Sequence, residues 1–181
     1  MGSKYQEIPK KQIDFINKQH MFFVATAGDT GTVNLSPKGM DSFRVLNNKR
    51  IVWMNLTGSG NETAAHLLIN NRMTIMFCSF EKQPLILRLY GKAKIYHPRD
   101  DQFEEYTAMF KNTSGVRQFI EMDVELVQTS CGYGVPFMNY EGERETLQKW
   151  SDNKSEDQIK AYWKEKNAKS IDGFDTKMNV E

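Results

Sequence analysis

The sequence predicts a mainly β protein, a small antiparallel barrel with added helices. Three observations lead there. Short apolar or alternating runs recur between turn residues, six or seven of them, and a single helix-like run interrupts them early. The strand–helix–strand alternation of a parallel dinucleotide-binding sheet is absent. At 181 residues, with 39% hydrophobic and 26% charged residues, the chain suits one folded domain with its own core.

The elements follow in order. His20 to Ala27 is a compact apolar run, read as a strand, and Gly28-Asp29-Thr30-Gly31 turns it into a hairpin. The second strand, Thr32 to Lys38, alternates: Val33 and Leu35 share one face, and Asn34, Ser36 and Lys38 the other. Phe43 to Leu46 is a third strand, and Asn47-Asn48 leads into a fourth over Arg50–Thr57. One helix is inserted after this fourth strand and runs to about Asn70-Asn71. Arg72–Phe80 is apolar on both faces over Ile75-Met76-Phe77-Cys78, as a central, doubly covered strand is. Leu85 to His97 is a long strand in which Gly91 implies a bend or a close backbone approach. Helical stretches are expected over Asp101–Phe110 and Gly115–Ile120, then a last strand over Met122–Thr129. The tail from Glu141 to Lys169 is polar and helix-prone, with Trp150, Ile159, Tyr162 and Trp163 as docking points.

Several function classes are disfavoured. A net charge of +1, with basic residues scattered among acidic ones, gives no support to nucleic-acid binding. No apolar run approaches the length that spans a bilayer, and the start of the chain lacks the apolar core of a signal peptide, so a cytoplasmic protein is expected. Cys78 and Cys131 form no metal-spaced pair, and no metal site is expected.

The most informative segment is Thr57-Gly58-Ser59-Gly60-Asn61-Glu62-Thr63, which joins a strand to a helix start. Such a turn gathers unpaired backbone N–H groups at the positive end of the helix dipole, a ready place for a phosphate. Ser59 and Glu62 also have the spacing of a capping box, so a plain capped turn explains the same residues. Gly58 and Gly60 resemble the start of a dinucleotide fingerprint, but Thr63 stands where the third glycine belongs. Ser36 and Lys38 put a hydroxyl and an ammonium on one strand face, fit for a phosphate or ring carbonyl, although a solvated polar face is the commoner reason for such a pair. Arg88, set among apolar neighbours, requires an acceptor, either a protein carboxylate or a bound anion. Cys131, in the loop Ser130–Pro136, shows no nearby base that would make it a nucleophile.

Together, the segments Ala25-Thr26-Ala27, Leu35-Ser36-Pro37-Lys38-Gly39, Gly58 to His66, Leu87-Arg88-Leu89-Tyr90-Gly91 and Ser130-Cys131-Gly132-Tyr133-Gly134-Val135-Pro136 resemble the pyridoxamine 5′-phosphate oxidase-like family. The likeness covers roughly residues 15 to 140, with 141–181 as a C-terminal helical extension. It implies a six- to seven-stranded antiparallel split β-barrel that binds FMN, a homodimer with the cofactor at the subunit interface, and flavin-mediated hydride or electron transfer on a small-molecule substrate. By position it implies Ser36, Pro37, Lys38, Met54, Asn55, Ser59, Gly60 and Asn61 as cofactor-binding residues, with Arg88 from the long strand; no catalytic residue is assigned. A flavin-sequestering protein without turnover, or a relative using haem or a deazaflavin, are the alternatives. The authentic oxidase has an Arg-x-Val-Leu-Leu-Lys strand and an Arg-Lys pair in the turn. Here those places read Ser36-Pro37-Lys38-Gly39 and Gly60-Asn61, and the oxidase's C-terminal Arg/His segment has no counterpart, which weakens the case for a phosphorylated B6 substrate.

Overall fold

A computed structural model describes residues 2–178; residue 1 and residues 179–181, which the one-domain expectation included, lie outside the described residues. The strands are β1 (Lys4–Tyr5), β2 (Phe22–Ala27), β3 (Val33–Lys38), β4 (Phe43–Asn47), β5 (Arg50–Leu56), β6 (Arg72–Cys78), β7 (Ile86–Tyr96) and β8 (Val116–Ser130). The helices are α1 (Lys10–Ile16), α2 (Glu62–Ile69), α3 (Asp101–Thr107), α4 (Thr146–Asp152) and α5 (Glu156–Lys166). All pairings are antiparallel, in the order β3-β2-β6-β7-β8-β5-β4, with β1 added beside β8.

The sheet curls until β2, next to one end, meets β4 at the other through side chains. Phe22 of β2 lies edge-on to Phe43 of β4, with ring centroids 4.9 Å apart, and Phe43 meets Phe77 of β6 at 5.2 Å. Trp53 of β5 lies 6.2 Å from Phe22 and completes this aromatic centre. Each such buried side chain is worth about 1.5–3 kcal/mol over its exposed state. The centre joins an apolar core that runs through β2, β5, β6, β7 and β8, closed below by Ile8 and Ile16. A seam closed by rings rather than by a backbone ladder makes the barrel a split one.

Gly91 is the close approach its position implied. The ladder shifts register between Tyr90 and Gly91, and a Cβ at this residue would collide with the Asp123 carbonyl of β8. A smaller cluster of Val52, Met54, Tyr106, Phe110 and Phe119 seals α3 against β5 and β8. There the Tyr106 hydroxyl donates to the buried Glu121 carboxylate; burial, then that bond, pushes the phenol well above its ordinary range.

Two sequence expectations are corrected. Gly115–Ile120 is not helical: Val116 onward is the first half of β8, paired with β5 from Leu56↔Val116 to Arg50↔Asp123. Arg117 and Gln118, 4% and 0% exposed, are buried on opposite faces of this strand, so its polar residues break the apolar alternation that marks strands. The capping box lies elsewhere than expected. It is at α5, where the Ser155 hydroxyl accepts from the Gln158 N–H at 3.3 Å and the Gln158 amide accepts from the Ser155 N–H at 3.0 Å.

Candidate functional site

A cleft of about 740 Å³ opens at the seam, between β3, β5, the turn into α2 and the C-terminal extension. Eight of the nine predicted cofactor residues line it: Ser36, Pro37, Lys38, Met54, Asn55, Ser59, Gly60 and Asn61. The ninth, Arg88, does not. Its guanidinium donates to the Ser130 hydroxyl at 3.0 Å, so its acceptor is a protein hydroxyl, neither of the two expected. Register explains the difference, since Arg88 pairs with Met76 and Gln128 in the middle of the sheet, away from the seam.

β3 reaches the cleft by an inverted alternation. Asn34, Ser36 and Lys38 are half-buried, whereas Val33 and Leu35 are 75% and 65% exposed. A strand that turns its polar face inward needs polar partners there, and the cleft supplies them. The Asn34 side-chain amide donates to the Thr63 hydroxyl at 3.2 Å. Lys38 reaches across to β5, its ammonium 5.2 Å from the centre of the Trp53 ring. Burial, reinforced by the positive charge of Arg117, lowers its pKa to about 8.

The sequence reading missed Arg117. It lines the cleft from β8 and is 4% exposed. One of its nitrogens donates to the Asn55 amide oxygen at 3.3 Å, while Nε and Nη1 have no hydrogen-bond partner among the described residues. Burial lowers its pKa to about 10, which leaves it charged at neutral pH. A buried guanidinium with two idle donors is costly unless an acceptor arrives from outside the chain. The one signal in the sequence was the polar pair Arg117-Gln118 between apolar residues, and reading it as helix hid it.

The helix start is open toward the same space. The N-cap of α2 is Asn61, and its side chain makes no cap bond. Glu62 does not turn back to Ser59; its carboxylate oxygens accept the Ile171 N–H at 3.1 Å, pinning the tail over the helix. The expected box is replaced by a tertiary contact, and the first turn of α2 lacks a side-chain cap. Asn61 instead bridges the site: its amide oxygen accepts from Asn55 at 3.5 Å, and its nitrogen donates to the Asn167 carbonyl at 3.4 Å. Asn55 also donates to the Gln118 amide oxygen at 3.0 Å. The turn is thus tied to β5, β8 and the extension at once.

Four cations line the cleft, Lys38, Arg117, Lys166 and Lys169, against one carboxylate, Glu62, and with a helix start that lacks a side-chain cap they suit a phosphate-bearing ligand. Residues 8–131 match the family described as pyridoxamine 5′-phosphate oxidase. The chain belongs to this family. A curated relative, the pyridoxamine 5′-phosphate oxidase family protein ustO of Aspergillus flavus, is 37% identical over 147 residues, 78% of this chain and 59% of that protein. The chain therefore spans about three-fifths of the length of that relative. Among solved structures, HupZ of Group A Streptococcus superposes with a TM-score of 0.55 at 23% identity, covering 66% of this chain and 91% of that one. A candidate pyridoxamine 5′-phosphate oxidase of Lactobacillus delbrueckii gives 0.56 at 15% identity, covering 68% and 94%. These likenesses show a shared fold, the mainly β split barrel.

Among the described residues no group of three or more His, Cys, Asp or Glu side chains could hold a metal ion. No described helix is long and apolar enough to cross a membrane. Cys131 is exposed, and Cys78 is a buried small residue of β6.

Proposed function

We propose that this chain binds FMN in the seam cleft as a homodimer and acts as an FMN-dependent oxidoreductase. One observation carries the reading: buried Arg117, with two unused donors, faces the same cleft as Lys38. Family membership supports it. Arg117, Lys38 and the turn Ser59-Gly60-Asn61 would hold the phosphate, while Ser36, Pro37, Met54 and Asn55 would wall the ring system. When bound, a flavin supplies hydride and single-electron chemistry. The chain contributes the rest: cations that fix the anionic end, and buried Trp53 and Met54 that keep water from one wall. Exposed Val33 and Leu35 on the outer face of β3 would carry the contact to a second copy, beside the cleft that the inner face lines.

The test is a titration of the purified protein with FMN and with riboflavin, which lacks the phosphate, followed by flavin fluorescence. With charge-assisted bonds worth about 1.5–3 kcal/mol each, FMN should bind at least ~100-fold more tightly at pH 7. The preference should shrink as pH rises through about 8, where Lys38 loses its proton. Equal binding of both, or of neither, would overturn the reading. Anaerobic addition of NADPH then separates an oxidoreductase, whose flavin bleaches, from a protein that only holds the flavin.

A further inference from the structure

Beside the cleft lies a second hollow of about 700 Å³. The two share residues 37–40, residues 57–59 and Leu147, so they are adjoining rooms with one lysine at the doorway. The far room is mostly apolar. Trp150 and Tyr162 of the extension form one wall, edge to face with centroids 5.0 Å apart, and Leu147 and Met21 add to the apolar lining. His20 and Tyr140 make another wall as parallel rings stacked at 3.5 Å. Trp150, Tyr162, Leu147 and Tyr140 lie beyond the span that matches the family model, so this room is built jointly by the family core and by the part of the chain outside that span.

Its charges are asymmetric. Glu143 is already engaged: one carboxylate oxygen accepts from the Tyr140 hydroxyl at 3.1 Å and the other from the Met40 N–H at 3.3 Å. Of the other ionic groups facing the hollow, Lys38 is committed to the phosphate in the flavin reading, which leaves Arg144 to meet a ligand, while Glu143 keeps its charge with both oxygens already bonded. We propose that this room is the substrate compartment, and that it takes a flat aromatic small molecule whose carboxylate, phenolate or carbonyl oxygen points to Arg144, which lines this hollow and not the cofactor cleft. Each ring contact is worth about 0.5–1.5 kcal/mol beyond its buried area, which favours an aromatic over an aliphatic ring. Arg144 repels a positively charged substituent more than Glu143, whose two oxygens are already bonded, attracts it. A room of this volume admits a drug-sized molecule, one of two fused rings included. The role as substrate site rests on the flavin reading; the binding preference does not.

Calorimetric titration of the full chain, with and without FMN, tests both parts using three probes: 2-naphthoate, 2-naphthylmethylammonium and cyclohexanecarboxylate. Naphthoate should bind at least about tenfold more tightly than either of the others, a difference of ~1.4 kcal/mol. Trp150→Ala and Tyr140→Ala should each weaken naphthoate by a similar factor, with FMN affinity held within about twofold, since neither residue lines the cofactor cleft. Melting curves show whether each variant is folded, and Tyr140, 51% exposed, is the safer of the two. Naphthoate binding no better than that of the ammonium probe, or unmoved by both variants, would overturn the compartment. Naphthoate binding without FMN binding would sink the flavin reading and leave the compartment standing; FMN binding without naphthoate binding would do the reverse.

Discussion

At the scale of single residues, Arg117 shows how a binding site can work against the fold that holds it. Its guanidinium is buried, makes one long bond to Asn55 and leaves two donors idle. Removing a charge from water costs several kcal/mol unless good partners repay it, so this side chain should be a net burden on the ligand-free protein. Arg117→Met keeps the apolar stem and deletes the burden. The ligand-free variant should therefore melt at or above the temperature of the parent. Its FMN affinity should fall by about 10- to 100-fold, the worth of one charge-assisted bond. A lower melting temperature with unchanged FMN affinity would assign Arg117 to the fold alone. Lys38 was legible in the sequence because it sits on an alternating strand that ends at a turn. Arg117 was not, because a strand buried on both faces shows no alternation, and burial of its polar pair is a property of the cleft rather than of local sequence.

At the scale of elements, the turn between β5 and α2 is held by the extension as much as by the barrel. Thr57 donates its N–H and its hydroxyl to the Gly115 carbonyl at 2.8 and 2.7 Å, and accepts from the Trp163 indole at 2.8 Å. Asn167, just past α5 and fully buried, donates to the Gly58 carbonyl at 2.9 Å and accepts from Asn61 through its own carbonyl. Asn167→Ala removes the first of these bonds and keeps the second, which is to the backbone. It should cost about 1–3 kcal/mol in urea denaturation and weaken FMN through a looser turn. An unchanged midpoint would show that the extension merely rests on the barrel. Most of the elements were readable from their punctuation: the Gly28–Gly31 turn, the Asn47-Asn48 turn and the doubly apolar run of β6 each mark a boundary within about two residues. The contacts from Trp163 and Asn167 to the turn were not, because they span 106 and 109 residues and no local pattern encodes such a pairing. β1, two residues long, and α1, a seven-residue helix, are too short to leave a periodic signal.

At the scale of the whole molecule, the sheet has an edge that a lone monomer manages poorly. β3 ends the strand order, and its outward face presents Val33 and Leu35 where edges commonly carry charge. The same strand directs Asn34, Ser36 and Lys38 into the cleft, so outer apolar face and inner polar face are two consequences of one register. A second copy seated on that face would bury the exposed pair and stiffen the strand that carries Lys38, which couples assembly to cofactor binding without any new contact to the flavin. Light scattering of the parent should then give twice the 21.0 kDa of one chain. Val33→Lys with Leu35→Lys should give 21.0 kDa with an unaltered far-ultraviolet spectrum, because neither side chain belongs to the core. FMN should bind that monomer at least about tenfold more weakly, since a freely moving β3 must be ordered when the ligand arrives. A double variant that stays dimeric would move the interface off β3, and a monomeric parent that still binds FMN tightly would show that one chain completes the site.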